Sequence, residues 1–426
     1  MALLNLTPDE RALLAGEAGV GAALAMRLVV RVAQALDAER LIPITRAHVD
    51  SCLYHGQASL DFAQRLLDGG ARVSVPTTLN VGSLDLLHPE LWRGDPEHAE
   101  RGRRLMEAYR ALGCHATYTC APYQLSDARP GLGEQVAWAE SNAIVFANSV
   151  LGARTERYGD FTDIACAITG RAPNAGLHRT DARRAVLVLR LAADVPEALR
   201  DADALYPVLG IVVGRRAGSR VAALDGLPPG LSEDRLKAIG AAAASSGAVA
   251  MFHAVGSTPE APTLEAALHG GQPEAVVEIT IDELRAARDA LSTADAVPGA
   301  PIGAVSLGTP HASVAELHHI VAELAGRRVH PDVELLVATS RGVLAAAEEA
   351  ARRLQDAGAE LLVDTCSYLG PILRPTPLPV MTDSAKWAYY APGNIGARVV
   401  FASRRECVES AVRGRVWRDP ALWGDA

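Results

Sequence analysis

The last third of this chain repeats one unit: a short apolar run, an abrupt polar cluster, then a helical stretch. Leu361–Val363 stop at Asp364-Thr365-Cys366-Ser367, Ile302–Leu307 at Gly308-Thr309-Pro310-His311, and Leu335–Ala338 at Thr339-Ser340-Arg341-Gly342. Met251–Val255 end in the same way at Gly256-Ser257-Thr258, and Val276–Ile281 and Ala397–Phe401 read as further strands. Apolar runs of this length alternating with helical segments predict parallel strands covered by helices, an α/β class. Open sheets of that kind hold ligands at the carboxyl ends of their strands. The polar clusters are therefore the first candidates for a site.

The preceding region carries the same pattern less regularly. Thr7-Pro8-Asp9-Glu10 is a capping box opening a helix over 7–37, with a break expected near Gly19. Strands are expected at 41–44, 73–75, 185–191 and 206–214, while 114–123 reads either as a strand with two incidental cysteines or as a weak metal signal from Cys114 and Cys120. Helices are expected at 58–69, 97–112, 232–246 and, rich in small residues, over 137–150. A stretch rich in Pro, Gly and Asp near 225–230 suggests a boundary between an N-terminal region, residues 1–225, and a β/α-alternating region, residues 226–426.

Bulk properties exclude several classes. The 50 acidic residues outnumber the 41 basic ones, and the latter are scattered, so no basic face for nucleic acid is expected. Arg27 and Arg31 interrupt the most apolar helical segment, and no run is long enough to span a membrane or act as a secretion signal. A cytoplasmic protein is expected, whose six cysteines are free thiols or metal ligands. No Walker loop, dinucleotide fingerprint, C-x-x-C pair or G-x-S-x-G elbow is present.

Several segments instead concentrate titratable and hydrogen-bonding groups. The loop 45–56 contains Arg46, His48, Asp50, Cys52, Tyr54 and His55, and the loop after it holds Thr77, Thr78 and Asn80. Ser141 and Asn142 stand in an apolar surrounding where buried polar groups need partners. Arg154 suits either a carboxylate grip or a structural ion pair. Among the later strand ends, Arg341 and Lys386 could hold a carboxylate, with Ser340 and Ser384 beside them, while His and Asp groups move protons. The inventory suits a small, oxygen-rich anionic substrate.

These segments, in this order, resemble the large catalytic portion of aconitase X: 46–56, Pro76–Asn80, Thr119–Tyr123, Glu140–Ala143, Gly256–Glu260, Gly308–His311, Asp364–Cys366 and Ser384–Asn394. The resemblance runs from about residue 7 to about residue 410. It implies an aconitase-like fold and hydro-lyase chemistry, known in the family for cis-3-hydroxy-L-proline and for mevalonate 5-phosphate. The form Cys52-Leu53-Tyr54-His55-Gly56 looks more like the hydroxyproline branch. It further implies an iron–sulfur cluster, with Cys120 and Cys366 at family ligand positions. Thr309 stands where some members have cysteine, which leaves Cys114 or another thiol as the third ligand, a cluster of another type, or none. His48, His311, Asp364 and Lys386 are the expected catalytic groups. The family also uses a small swivelling domain that supplies a serine; it is expected here on a partner subunit. A dehydratase of another hydroxy acid, or a silent ligand-binding protein on the same fold, are the alternative readings.

Overall fold

The computed structural model describes residues 4–424. It divides into two units, one formed by the chain up to Leu84 with Asp95–Arg184, the other by Asp85–Gly94 with the chain from Ala185 onward.

In the first unit the Thr7 hydroxyl accepts from the Glu10 amide while the Glu10 carboxylate accepts from the Thr7 amide, opening the helix Pro8–Ala15. The helix expected over 7–37 is two helices, because Gly16 (φ 93°) and Gly19 (φ 98°) turn the chain between Ala15 and Val20. The second, Val20–Ala35, buries Ala22, Ala25, Met26, Val29 and Ala33 at helical spacing, and packs on the helix Thr162–Thr169.

The strands of this unit are β1 (Leu41–Pro43), β2 (Ala47–Val49), β3 (Thr77–Leu79), β4 (Ala137–Trp138) and β5 (Arg171–Pro173). β1 and β5 pair antiparallel, and β3-β2-β4 form a parallel sheet. Three readings fail here. The strand expected at 73–75 lies at 77–79, beyond Pro76, which has no amide for a ladder. Residues 114–123 form no strand. There the Thr117 side chain bonds both the Leu79 amide and carbonyl, taking the place of ladder partners. The helix expected over 137–150 begins instead as β4, turns at Glu140 (φ 71°), and becomes helical only from Ser141.

The second unit carries β6 (Leu187–Leu191), β7 (Ala222–Asp225), β8 (Phe252–Ala254) and β9 (Ala275–Ile279) in one parallel sheet ordered β8-β7-β6-β9. Its other sheet holds β10 (Ala304–Ala312), β11 (Glu334–Thr339), β12 (Ala359–Leu362), β13 (Val380–Thr382) and β14 (Val399–Phe401), ordered β12-β11-β10-β13-β14 and parallel throughout. The alternation read from the sequence is thus real, and β10, β11 and β12 are neighbours. The Pro/Gly-rich stretch at 225–230 is the turn after β7. Residues 206–214, expected as a strand, are helix Leu205–Ala217. They are apolar on every face because the helix is buried all round. Gly210 and Gly214 let helix Glu233–Ser246 approach so closely that a Cβ at Gly210 would stand 2.5 Å from the Ile239 carbonyl. A continuous apolar run does not distinguish such a helix from a buried strand.

Candidate functional site

Each unit presents a polar group of residues where parallel strands end. In the first unit, His48 on β2 stands opposite Thr78 on β3 and Trp138 on β4. Side chains alternate along a strand, so the next residues on this face are Asp50, Asn80 and Glu140, just past the strand ends. The opposite face, Ala47, Val49, Leu79 and Ala137, is buried, and Thr77 shares it, with its hydroxyl spent on the Val75 carbonyl.

The polar face carries buried polar atoms without protein partners. The Thr78 hydroxyl reaches the Ala47 carbonyl at 3.4 Å and His48 Nδ1 at 2.8 Å. A hydroxyl that donates to a carbonyl accepts from the ring, so Nδ1 carries the proton and Nε2 offers a lone pair. His48 Nε2, Asn80 Oδ1, Asn142 Oδ1 and Trp138 Nε1 are all buried without a protein partner. Buried polar atoms are rarely left so. Burial lowers the His48 pKa to about 3, against a smaller pull from Glu140. Asn142 is held by bonds from its amide to the Cys120 carbonyl (3.0 Å) and the Tyr123 hydroxyl (2.9 Å). Behind the face, Asp163 accepts from the amides of Asp50 (2.7 Å), Ser51 (3.1 Å) and Ile164 (2.6 Å), and from the Ser51 hydroxyl.

Other residues expected in the site are placed differently. Cys52 Sγ is buried against the Asn80 carbonyl at 3.2 Å. Cys114 lies near Asp163 and Cys52, and burial pushes its thiol pKa up. Tyr54 meets His98 edge-on, and His55 lies near Asp160. Arg46 is paired with Glu134 at 2.8 Å, and Arg154 donates to the His178 carbonyl and the Thr180 hydroxyl. Ser141 bonds Glu140. Asp50 stood out only as one of the titratable groups of the loop 45–56, and neither it nor Glu140 or Trp138 was given a role in the site. Reading 137–150 as one helix hid the two-residue register that aligns 48/50, 78/80 and 138/140.

In the second unit the ends of β10, β11 and β12 bring His311, Ser340, Arg341, Asp364 and Cys366 to one edge. The Asp364 carboxylate takes two donors from the Arg341 guanidinium, one of them at 2.7 Å, and the Leu86 amide at 3.2 Å. Burial raises its pKa, and Arg341 opposes this. Ser340 caps the following helix through the Val343 amide. His311 Nε2 bonds the Thr365 carbonyl at 3.1 Å, so that nitrogen carries the proton and Nδ1 has the lone pair. Metal-ligating atoms of His311 and Cys366, both buried, lie within 4.8 Å of each other, a spacing one metal centre can use. Ser367 Oγ, next in sequence, is held by Ser306 Oγ (2.8 Å) and Trp387 Nε1 (2.9 Å). Thr309 Oγ1 is buried without a partner.

Beside these residues, a cavity of about 400 Å³ opens at the ends of β10, β13 and β14, lined by Thr309, Asp383, Ser384, Lys386 and Arg404 among others. Ser384 accepts from the Trp387 amide at 3.0 Å and so opens the helix Ala385–Ile395, in whose first turn Lys386 is buried. Burial, with Glu316 and Glu323 nearby, raises the Asp383 carboxyl to about 7 against the pull of Arg404. Among the described residues, no helix is long and apolar enough to cross a membrane.

Comparison with known proteins agrees with this architecture. The families described as aconitase X first, second and third domain match residues 3–181, 186–289 and 302–413. A cis-3-hydroxy-L-proline dehydratase of Pseudomonas aeruginosa is 46% identical over 96% of this chain and 70% of its own length. The enzyme of the same name from Hypocrea jecorina is 42% identical over 96% of this chain and 69% of its own. The phosphomevalonate dehydratase large subunit of Methanosarcina mazei is 34% identical over 97% of this chain and 98% of its own. The crystal structure of Thermococcus kodakaraensis aconitase X in its holo-form superposes with a TM-score of 0.84 at 32% identity, covering 96% of this chain and all of that one. With three domain matches in order and relatives this similar along almost its whole length, the chain belongs to the aconitase X family.

Proposed function

We propose that this chain is the large, catalytic portion of a hydro-lyase that dehydrates cis-3-hydroxy-L-proline, giving an enamine that rearranges to pyrroline-2-carboxylate. The observation that carries the reading is the 46% identity, over 96% of the chain, to a protein named for that activity. Relatives similar along almost the whole chain are named large subunits, and that name supports a partner subunit, for which the small swivelling domain and its serine are proposed. The expected location is the cytoplasm.

A metal centre fits the second unit's residues. Cys366 supplies a thiol and His311 a ring nitrogen whose partner nitrogen is already anchored, the usual way a metal-binding histidine is oriented. Cys120 is the further thiol to which the family resemblance points. Cys114 is a weaker candidate, because burial beside Asp163 disfavours the thiolate a metal needs. When bound, an iron–sulfur centre would supply a Lewis acid for the departing hydroxyl.

The protein's own residues have separate tasks. His48, uncharged and fixed through Nδ1, accepts a hydrogen bond from the substrate at Nε2, and Asn80 and Asn142 offer acceptor oxygens. Lys386, buried at the cavity, provides a positive charge that steadies a carboxylate as charge builds on it. Mevalonate 5-phosphate is the less favoured substrate. Its phosphate would call for additional cations, and Arg46, Arg154 and Arg341 already have protein partners.

The test is turnover of cis-3-hydroxy-L-proline by anaerobically purified protein with its small-domain partner, alongside iron and sulfide analysis. Product formation with iron bound supports the reading. An iron-loaded complex that leaves this substrate untouched but dehydrates mevalonate 5-phosphate replaces it. Binding of either compound without dehydration favours a silent ligand-binding protein.

A further inference from the structure

Four carboxyl groups stand together past the end of the sheet β3-β2-β4; Asp160 is exposed to water, and the other three, Asp50, Glu140 and Asp163, are not equally provided for. Asp163 receives four donors, three backbone amides and the Ser51 hydroxyl. Glu140 accepts from the Ala143 amide at 2.7 Å, at the start of a helix, and from the Ser141 hydroxyl at 3.3 Å. Asp50, just past the end of β2, has one side-chain donor, the Asn80 amide. Hydrogen bonds from donors stabilise a carboxylate, and neighbouring carboxylates destabilise it. The proton in this cluster therefore resides on Asp50.

Its position gives that proton a use. Asp163 is fully buried, whereas Asp50 is only half-buried. Its side chain shares a face with the two atoms that lack partners, His48 Nε2 and Asn80 Oδ1. The residue that carries the proton is also the one a ligand can reach.

We propose that Asp50 is the acid of the dehydration, handing its proton to the hydroxyl that leaves the substrate. This rests on the dehydratase reading. In the step, the Asp50 O–H bond breaks and an O–H bond forms to the leaving oxygen. The substrate C–O bond breaks with its electron pair going to that oxygen, and water departs. The α-proton passes first to a separate base, and the electron pair it leaves on the α-carbon then becomes the new double bond as the C–O bond breaks. Asp50, now a carboxylate, regains a proton from solvent. Burial first, then Glu140, Asp160 and Asp163, raise its pKa to about 8, while Asn80 opposes them. Cys52, His55 across from Asp160, and Cys114 and Tyr109 near Asp163 are other titratable groups around the cluster.

The test uses Asp50→Asn in the iron-loaded complex with its partner, on whichever hydroxy acid the wild type dehydrates. Elimination is expected to fall about a hundredfold or more. Exchange of the substrate α-proton with deuterated solvent is expected to continue, and Asp50→Glu is expected to restore some of the elimination. The urea midpoint of Asp50→Asn is expected to equal or exceed that of wild type. Wild-type stability is expected to decline between about pH 4 and 8 more steeply than the variant's, because the folded state holds a proton there that the unfolded state has lost. Near-wild-type elimination, or parallel loss of exchange and elimination, overturns the proposal. A folded variant with an unchanged pH slope also overturns it. If wild type dehydrates mevalonate 5-phosphate instead of cis-3-hydroxyproline, the substrate reading falls and the Asp50 test proceeds on that compound. A wild type that dehydrates neither removes both.

Discussion

Thr78 holds His48: the threonine hydroxyl lies 2.8 Å from Nδ1 of the imidazole on the neighbouring strand. Because the same hydroxyl reaches the Ala47 carbonyl, one ring tautomer is selected and Nε2 is left bare on the polar face. Thr78→Val keeps the shape and removes the acceptor. The buried Nδ1–H is then unpaired, which costs about 1–3 kcal/mol in urea unfolding. Turnover is expected to fall with it, because the ring is free to change tautomer. A variant equal to wild type in both measurements removes the orienting role.

Acid should expose the burial of His48. Its folded pKa of about 3 lies below the ordinary 6.5, so between these values the unfolded chain binds a proton that the folded chain does not. His48 therefore contributes a loss of stability as pH falls through that window. His48→Gln is expected to lose less of its urea midpoint than wild type between about pH 7 and about pH 5. Equal losses would mean that His48 takes up its proton in the folded state.

Asp364 turns the chain in a left-handed conformation (φ 63°), and Arg341 grips it with two donors. Removing one partner of a buried pair costs about 3–5 kcal/mol. The Arg341 side chain keeps 37% exposure, so Arg341→Ala is expected to cost less, about 2 kcal/mol by urea unfolding. Arg341→Lys should recover little of it, since an ammonium cannot reproduce the two-pronged geometry. Full recovery by lysine would reduce the pair to simple charge attraction.

Gly308 precedes Thr309 on β10 with φ 81°, and a Cβ there would stand 2.1 Å from the Ala338 carbonyl on β11. Gly308→Ala must therefore shift the segment that carries Thr309 and His311. We expect a stability loss of at least about 1–3 kcal/mol together with reduced iron content in anaerobically purified protein. Iron retained at wild-type stoichiometry would detach His311 from the metal centre.

Much of the second unit was legible in the sequence. Short apolar runs, abrupt polar ends and capped helices agree locally, and a parallel sheet is the arrangement that satisfies them together. The gathering of His311, Ser340, Arg341, Asp364 and Cys366 followed from that alone. Helix Leu205–Ala217 was misread because its burial on all sides erased the periodicity that marks a surface helix.

The first unit was less legible because its strands are two or three residues long, too short to carry a period. Residue types alone announced a polar site around His48, Thr78 and Asn80, and the order of motifs announced the family. Hydrogen-bond partners could not be read that way. Tertiary structure assigned Arg46 and Arg341 to protein carboxylates, paired Asp50 with Asn80, and left His48 Nε2 bare. Local sequence dictates where strands end and which groups stand there. Which of those groups are neutralised by each other, and which await a ligand, depends on neighbours tens of residues away, brought together only by the register of the sheet.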